Sequence, residues 1–103
     1  MSRREEFDER MAICIHDGGL TEHEARRIAI DQMSDATRDE LPDEWKRLNS
    51  RWHALATEIY GREKMQIARK KLKEKHDVDS FTELTVGQIR ESIDRVKTKR
   101  GDQ

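Results

Sequence analysis

The sequence predicts an all-α fold of about five helices, arranged as an N-terminal helical hairpin followed by a three-helix bundle with a thin core. Apolar residues recur at intervals of three and four, and no run alternates with a period of two over the length of a strand. Capping residues stand at the boundaries of the periodic segments. The length of 103 residues corresponds to one domain, and only 19 of them are Val, Ile, Leu or Phe.

The first 34 residues predict an acidic helical hairpin. Ser2 and Glu5 have the spacing of a capping box, in which each side chain satisfies a free backbone N–H at the start of a helix. The first helix should therefore span residues 3–17. A glycine pair follows, and we expect Gly18 to adopt the left-handed conformation that commonly ends a helix.

A second start signal opens the second helix. Thr21 is the expected cap, and Glu24, three residues later, completes the box. Residues 35–42 are mostly polar and are expected to form a hinge before a basic three-helix part over residues 43–98. Pro42 is the only proline and suits the first turn of a helix, where its missing N–H would have no partner.

The third helix has the clearest pattern. Its apolar residues follow 3-4-3-4 spacing, which places them on one stripe that we expect to organise the core. These residues are Trp45, Leu48, Trp52, Leu55 and Ile59. Gly61 should end this helix, and a fourth helix is predicted over residues 62–76.

A short connector and a fifth helix complete the predicted fold. Three connector residues are expected to point inward, namely Val78, Phe81 and Leu84. Thr85 and Gln88 have the spacing of another capping box. The fifth helix should bury Val86, Ile89, Ile93 and Val96. Residues 99–103 are expected to fray.

The corner between the first two helices contains possible metal ligands, because His16, Asp17, His23 and Glu24 supply nitrogen and oxygen atoms. Zinc-binding histidines on one helix lie four residues apart, whereas these two lie seven apart across a glycine turn. We therefore favour a plain helical corner and expect no metal. The sequence also has no Gly-rich phosphate loop, Cys–His pair or serine elbow, so we expect neither a cofactor nor an enzyme.

A second interpretation of this corner is a DNA-binding helix-turn-helix. The second helix would then expose Glu22, His23, Arg26 and Arg27 to the DNA. We favour this less, because the acidic residues at its front would repel phosphates.

The chain is expected to act in the cytoplasm. It has no apolar run long enough to span a membrane, and its first ten residues lack the apolar segment of a signal peptide. The single cysteine, Cys14, cannot form an internal disulfide and fits a reducing compartment.

The C-terminal half, Leu55–Val96, resembles the helical C-terminal module of phage antirepressor-type and Mu-type regulatory proteins. The matching residues are Leu72, His76, Val78, Ser80, Phe81, Glu83, Leu84, Ile89 and Ile93. The segment Glu9–Ala29 is also similar to one common in proteins of proteobacterial phages and integrated elements. Antirepressors carry an N-terminal DNA-contacting domain, and we expect this chain to lack it. The resemblance implies an origin in a mobile element of a bacterium, and hence a bacterial cytoplasm, and a role in binding rather than chemistry.

Charge is distributed asymmetrically along the chain. Residues 1–44 contain six basic and 13 acidic residues, a net charge of −7, whereas residues 45–103 contain 15 basic and nine acidic residues, a net charge of +6. We therefore expect a regulatory or accessory protein that binds nucleic acid or a nucleoprotein complex through the basic surface of helices 4 and 5. The candidate residues are Arg69, Lys70, Lys71, Lys73, Lys75, Lys97, Lys99 and Arg100.

The alternative is an inhibitor that docks its acidic half on a basic host protein, possibly as a nucleic-acid mimic. Its candidate residues are Glu22, Glu24, Asp39 and Glu40. A thin core, a coiled-coil-like stripe and oppositely charged halves also predict a homo-oligomer.

Overall fold

The structure is a computed structural model that describes residues 2–101, with the backbone only at 100 and 101. All regular structure in this range is helical, which confirms the all-α prediction. The helices are α1 Arg3–His16, α2 Glu22–Gln32, α3 Pro42–Tyr60, α4 Arg62–Lys75 and α5 Val86–Gly101, with one 3₁₀ turn at Phe81–Glu83. The molecule measures 43 × 31 × 18 Å, so it is a slab about two helix layers thick.

Helix α3 lies at the centre of the C-terminal part and packs against both α4 and α5. Two indole N–H groups of α3 donate hydrogen bonds toward the last helix. Trp45 Nε1 bonds the carbonyl of Leu84 at 2.8 Å, and Trp52 Nε1 bonds Ser92 Oγ at 2.7 Å. The tryptophan later in α3 bonds the residue later in the C-terminal segment, so α3 and α5 run parallel.

The hairpin of α1 and α2 packs on this bundle mainly through α2 and α5. Arg90 Nη1 lies 2.9 Å from Asp31 Oδ1. The Gly87 N–H donates to the Ser34 carbonyl at 3.0 Å. Positions later in α2 thus face positions earlier in α5, so the two helices are antiparallel. The hairpin and the bundle form one unit.

One continuous core joins all five helices, from Phe7 in α1 to Ile93 in α5. The α3 stripe is buried at its first three predicted positions, but Leu55 and Ile59 are only half-buried. Ala56 is fully buried instead. At 100° per residue, Leu55 lies at the margin of the arc that holds the first three stripe positions, and Ala56 lies closer to the mean direction of those three. Ile59 falls within the arc but stands in the last turn of α3. The predicted inward positions Phe81 and Leu84 are buried.

The left-handed residue of the first corner was predicted at Gly18, and this is wrong. Gly19 has the positive φ, at 65°. The N–H groups of Asp17 and Gly18 both still bond the Ile13 carbonyl, so the chain leaves the helical direction one residue later than expected. Gly18 is required for space, because a β-carbon there would lie 2.7 Å from the Cys14 carbonyl oxygen.

The predicted helix caps are present. The hydroxyls of Ser2 and Thr21 each accept a hydrogen bond from the backbone N–H three residues later. Thr85 and Gln88 form a complete reciprocal box. Another box, Ser80–Glu83, fixes the 3₁₀ turn.

The segment predicted as a polar hinge, residues 35–42, is anchored. Ala36 and Leu41 are fully buried, and the Ala36 carbonyl accepts from the Val86 N–H at 3.0 Å. In the predicted frayed tail, residues 99–101 continue α5, whereas 102 and 103 lie outside the described residues.

Candidate functional site

Helix α4 carries seven basic and two acidic residues, a net charge of +5. The basic residues are Arg62, Lys64, Arg69, Lys70, Lys71, Lys73 and Lys75. Within residues 2–101, none of these side chains has a carboxylate oxygen within 4.0 Å. We call the exposed lysines on one side of this helix, Lys64, Lys71 and Lys75, the α4 basic face. Helices α1, α2 and α5, in contrast, pair most of their arginines with acids.

The members of this face form a row. Lys64, Lys71 and Lys75 lie at positions i, i+7 and i+11, which a helix of 100° per residue brings within about 40° of one another. All three are exposed. The row is ~16 Å long at 1.5 Å per residue. Lys70 is also exposed, but it lies outside this row, on another side of the helix.

Arg69 differs from its neighbours, because its side chain packs inward. Its guanidinium carbon lies 5.2 Å from the centroid of the Phe81 ring. Its Nε is buried and has no hydrogen-bond partner. The Phe81 ring in turn packs on Trp52, at 5.1 Å between centroids. Arg69 therefore holds the connector turn against the bundle and is poorly placed for a phosphate.

The predicted basic residues of α5 do not share one surface. Lys99 Nζ lies 5.4 Å from the centroid of Tyr60, which is the last residue of α3. Lys97 is two positions earlier, so it points about 200° away and lines a groove that faces α2. The side chain of Arg100 lies outside the described part of the chain.

This groove lies between α2, α3 and α5 and has a volume of about 280 Å³. Ile30, Leu48 and Ile93 form its apolar floor. Six basic side chains line it, which are Arg26, Arg27, Arg47, Arg51, Arg90 and Lys97. Asp94 is its one lining carboxylate, and His23 lies at its α2 end. We call it the α2–α3–α5 groove.

Some of these cations have acidic partners. Arg90 contacts Asp31 and also Asp94, at 2.9 and 3.2 Å. Arg26 lies 3.2 Å from Glu22 and 3.1 Å from the buried carboxylate of Glu44. The contact with Glu44 joins Arg26 Nε to Oε2 without the angle of a hydrogen bond, so both atoms lack a hydrogen-bond partner.

The remaining cations of the groove have weaker partners or none. Arg27 reaches Asp94 only at 4.0 Å. Arg47, Arg51 and Lys97 have no described carboxylate within 4.0 Å. Partial burial lowers the pKa of Lys97, and the charges of nearby arginines, Arg51 first, lower it further against the opposing effect of Asp94.

The acidic residues predicted for the alternative function come from two segments: Glu22 and Glu24 lie in the first turn of α2, and Asp39 and Glu40 lie in the connector before α3. Glu22 contacts Arg26, and Glu24 bonds the hydroxyl of the Thr21 cap. In the connector, Glu40 lies 3.3 Å from Arg3 and also bonds Thr37, and Asp39 lies beside Arg38. These carboxylates thus serve contacts within the chain.

The helical corner holds no cluster of possible metal ligands. Over the described range, no three His, Cys, Asp or Glu side chains lie close enough together to hold an ion. His16 is exposed at the end of α1, whereas His23 lies at the groove. The basic residues of α2 face α3 and α5 in that groove, which differs from the outward-facing helix expected for the helix-turn-helix interpretation.

Searches of known protein families, characterised proteins and solved structures find no match to this chain. In the part of the chain that the structure describes, none of the helices is long and apolar enough to cross a membrane. The sequence does not predict the groove, because its cations come from three helices. The available signals were local: Arg47 and Arg51 lie four apart, and Arg90 and Lys97 lie seven apart, so each pair shares a helix face.

Proposed function

We propose that the protein binds the phosphate backbone of nucleic acid through the α4 basic face and acts as a non-enzymatic regulatory or accessory protein. The observation that carries this proposal is the absence of acidic partners for α4 within the described residues. An ammonium group that is already paired with a carboxylate contributes little binding free energy to a phosphate contact, because the existing pair has to be broken. The α4 lysines have no such pairing to break, so they are the cations best able to replace counterions on a nucleic acid.

The row of Lys64, Lys71 and Lys75 suits a backbone rather than a single phosphate. Its length of ~16 Å corresponds to roughly five base-pair steps of duplex at 3.4 Å each. Lysine is a flexible point charge, and contacts of this kind position a protein without reading sequence. The proposed activity is therefore sequence-independent attachment to nucleic acid or to a nucleoprotein complex. The mobile-element origin stays a prediction from the resemblance of the C-terminal half.

Fluorescence anisotropy with labelled duplex DNA and duplex RNA tests this proposal between about 50 and about 200 mM salt. If all three row lysines neutralise phosphates, the triple variant Lys64→Gln, Lys71→Gln, Lys75→Gln should flatten the log–log salt slope by about 2.7. At the lower salt it should weaken binding to all sequences alike, because backbone contacts carry no base information.

The single variant Lys71→Gln should weaken binding in the same direction, and Lys46→Gln is its matched control. Lys46 is also exposed and lies on α3, and its substitution removes one charge, so the affinity should stay close to that of the wild type. Replacing Glu22, Glu24, Asp39 and Glu40 with their amides should preserve or strengthen binding. An absence of binding at low salt and high micromolar protein, or a triple variant that binds like the wild type, would contradict the proposal and favour the inhibitor alternative.

A further inference from the structure

The α2–α3–α5 groove contains cations that do not take part in the ion pairs of the fold and do not belong to the α4 basic face. Arg26 and Arg90 have structural roles, because their acidic partners tie the hairpin to the bundle. Arg47, Arg51 and Lys97 have no such partner among residues 2–101, yet all three line the same groove. Like charges brought together at a partly desolvated site repel one another. An anion in the groove would remove that repulsion.

The groove is separate from the α4 basic face. Lys97 lines the groove, and Lys99, about 200° around the same helix, contacts Tyr60 immediately before α4. The groove also has carboxylates close to its cations, with Asp94 in its lining and Glu44 in contact with Arg26. These carboxylates neutralise part of the positive charge of Arg26 and Arg90. They leave a local cluster of three cations that suits a compact anion.

We propose that this groove binds a small phosphorylated molecule with an aromatic ring, of about the size of a nucleoside monophosphate. The phosphate would lie against Arg47, Arg51 and Lys97, since the planar guanidinium fork matches phosphate oxygens in bidentate geometry. The face of the aromatic ring would lie on the floor of Ile30, Leu48 and Ile93. A volume of about 280 Å³ is at the small end of ligand pockets, which limits the ligand to about one nucleoside with one phosphate.

Isothermal titration calorimetry with adenosine monophosphate tests the site, with adenosine and inorganic phosphate as partial probes, all at matched ionic strength. Adenosine monophosphate should bind with one-to-one stoichiometry and more tightly than either partial probe. It should also raise the melting temperature of the protein, because a ligand that binds only the folded state stabilises it.

Arg51→Gln should weaken binding of adenosine monophosphate by tenfold or more, because a hydrogen bond to a charged group is lost. Arg47→Gln should act in the same direction. Lys46→Gln, adjacent on α3 but outside the groove lining, is the matched control and should bind like the wild type. Arg47 and Arg51 are exposed and have no ion pair among residues 2–101, and each removal also relieves repulsion within the groove, so the ligand-free melting temperature should not fall.

Three outcomes would overturn the inference. The first is the absence of adenosine monophosphate binding at millimolar ligand, and the second is binding that survives in the Arg47→Gln, Arg51→Gln double variant. The third is a loss of duplex binding in that double variant as large as the loss in the α4 triple variant, which would make the groove part of a nucleic-acid footprint. The α4 triple variant should bind adenosine monophosphate normally, so the two proposals can fail separately.

Discussion

Trp52→Ala should remove a large part of the stability of this protein. The indole is 1% exposed and packs against Phe81 and His53, at 5.1 and 5.0 Å between ring centroids. Its N–H donates to Ser92 Oγ at 2.7 Å, which ties α3 to α5 across 40 positions of sequence. The substitution removes the ring that fills the centre of the core and the hydrogen bond that joins the two parallel helices.

The magnitude follows from these two losses. Truncating a buried aromatic residue to alanine typically costs about 3–5 kcal/mol, and a net hydrogen bond contributes about 0.5–1.5 kcal/mol. Ser92 is half-buried, so water can replace the indole as its partner, and the hydrogen-bond loss should fall at the lower end. Since a small domain is stable by about 5–15 kcal/mol, Trp52→Ala should leave it marginal or unfolded.

Urea unfolding followed by circular dichroism measures the effect without relying on tryptophan fluorescence. Two milder variants keep the test informative if Trp52→Ala does not fold. Trp52→Phe keeps most of the ring, and Ser92→Ala leaves the indole N–H without its acceptor, which should cost about 1–3 kcal/mol. In the double variant Trp52→Phe, Ser92→Ala, the loss of unfolding free energy should be smaller than the sum of the two single losses, because both changes remove the same hydrogen bond. A Trp52→Ala protein within about 1 kcal/mol of wild type would refute the reasoning.

Other predictions concern packing, pH and assembly. Gly87→Ala should destabilise by about 1–3 kcal/mol in urea unfolding, because its β-carbon would lie 2.3 Å from Ser34 Cβ and 2.6 Å from the Ser34 carbonyl oxygen; a wild-type midpoint would contradict this. Burial, aided by the charge of Lys75, lowers the pKa of His76 below 6.5. The His76 imidazole is therefore protonated at a higher pH in the unfolded chain than in the folded one. The free energy of unfolding should fall as the pH drops from 6.5 toward the lowered pKa, and it should fall less steeply in the His76→Gln variant. Light scattering at high micromolar protein should show a particle larger than 12.2 kDa that dissociates with salt; a 12.2 kDa particle at both low and high salt would remove the oligomer prediction.

Helix boundaries could be predicted from the sequence because their causes are local. Thr85 and Gln88 are three residues apart and satisfy each other's N–H groups whatever the rest of the chain does. Pro42 begins α3 for an equally local reason. The corner was harder, because the choice between Gly18 and Gly19 for the left-handed residue depends on how far the last turn of α1 continues. That extent is set by hydrogen bonds at the helix end, and the sequence does not specify them to one residue.

The candidate sites could be predicted only in part, because they depend on which helix faces meet. The charge run of α4 is visible in the sequence, but the inward packing of Arg69 on Phe81 depends on a connector that folds back 12 residues later. Lys97 and Lys99 look equivalent in a run of charges, yet helix geometry and the position of α2 place them on different surfaces. The groove itself exists only after α2 packs on α3 and α5.

The net charge of −1 argues weakly against nucleic-acid binding, and the structure shows why it is a poor guide at physiological salt. The Debye length is then about 8 Å, so a phosphate near α4 responds mainly to the unpaired α4 cations rather than to the distant acidic hairpin. At about 0.01 M salt the Debye length rises to about 30 Å, comparable to the 31 Å width of the molecule, and the hairpin acids also act on the phosphate. The increase in affinity on lowering the salt should therefore level off at the lowest concentrations. The double variant Glu22→Gln, Glu24→Gln should extend the linear range of the log–log plot of affinity against salt concentration. A wild-type plot that is linear at all salt concentrations would show that the charge of the hairpin does not act at the binding surface.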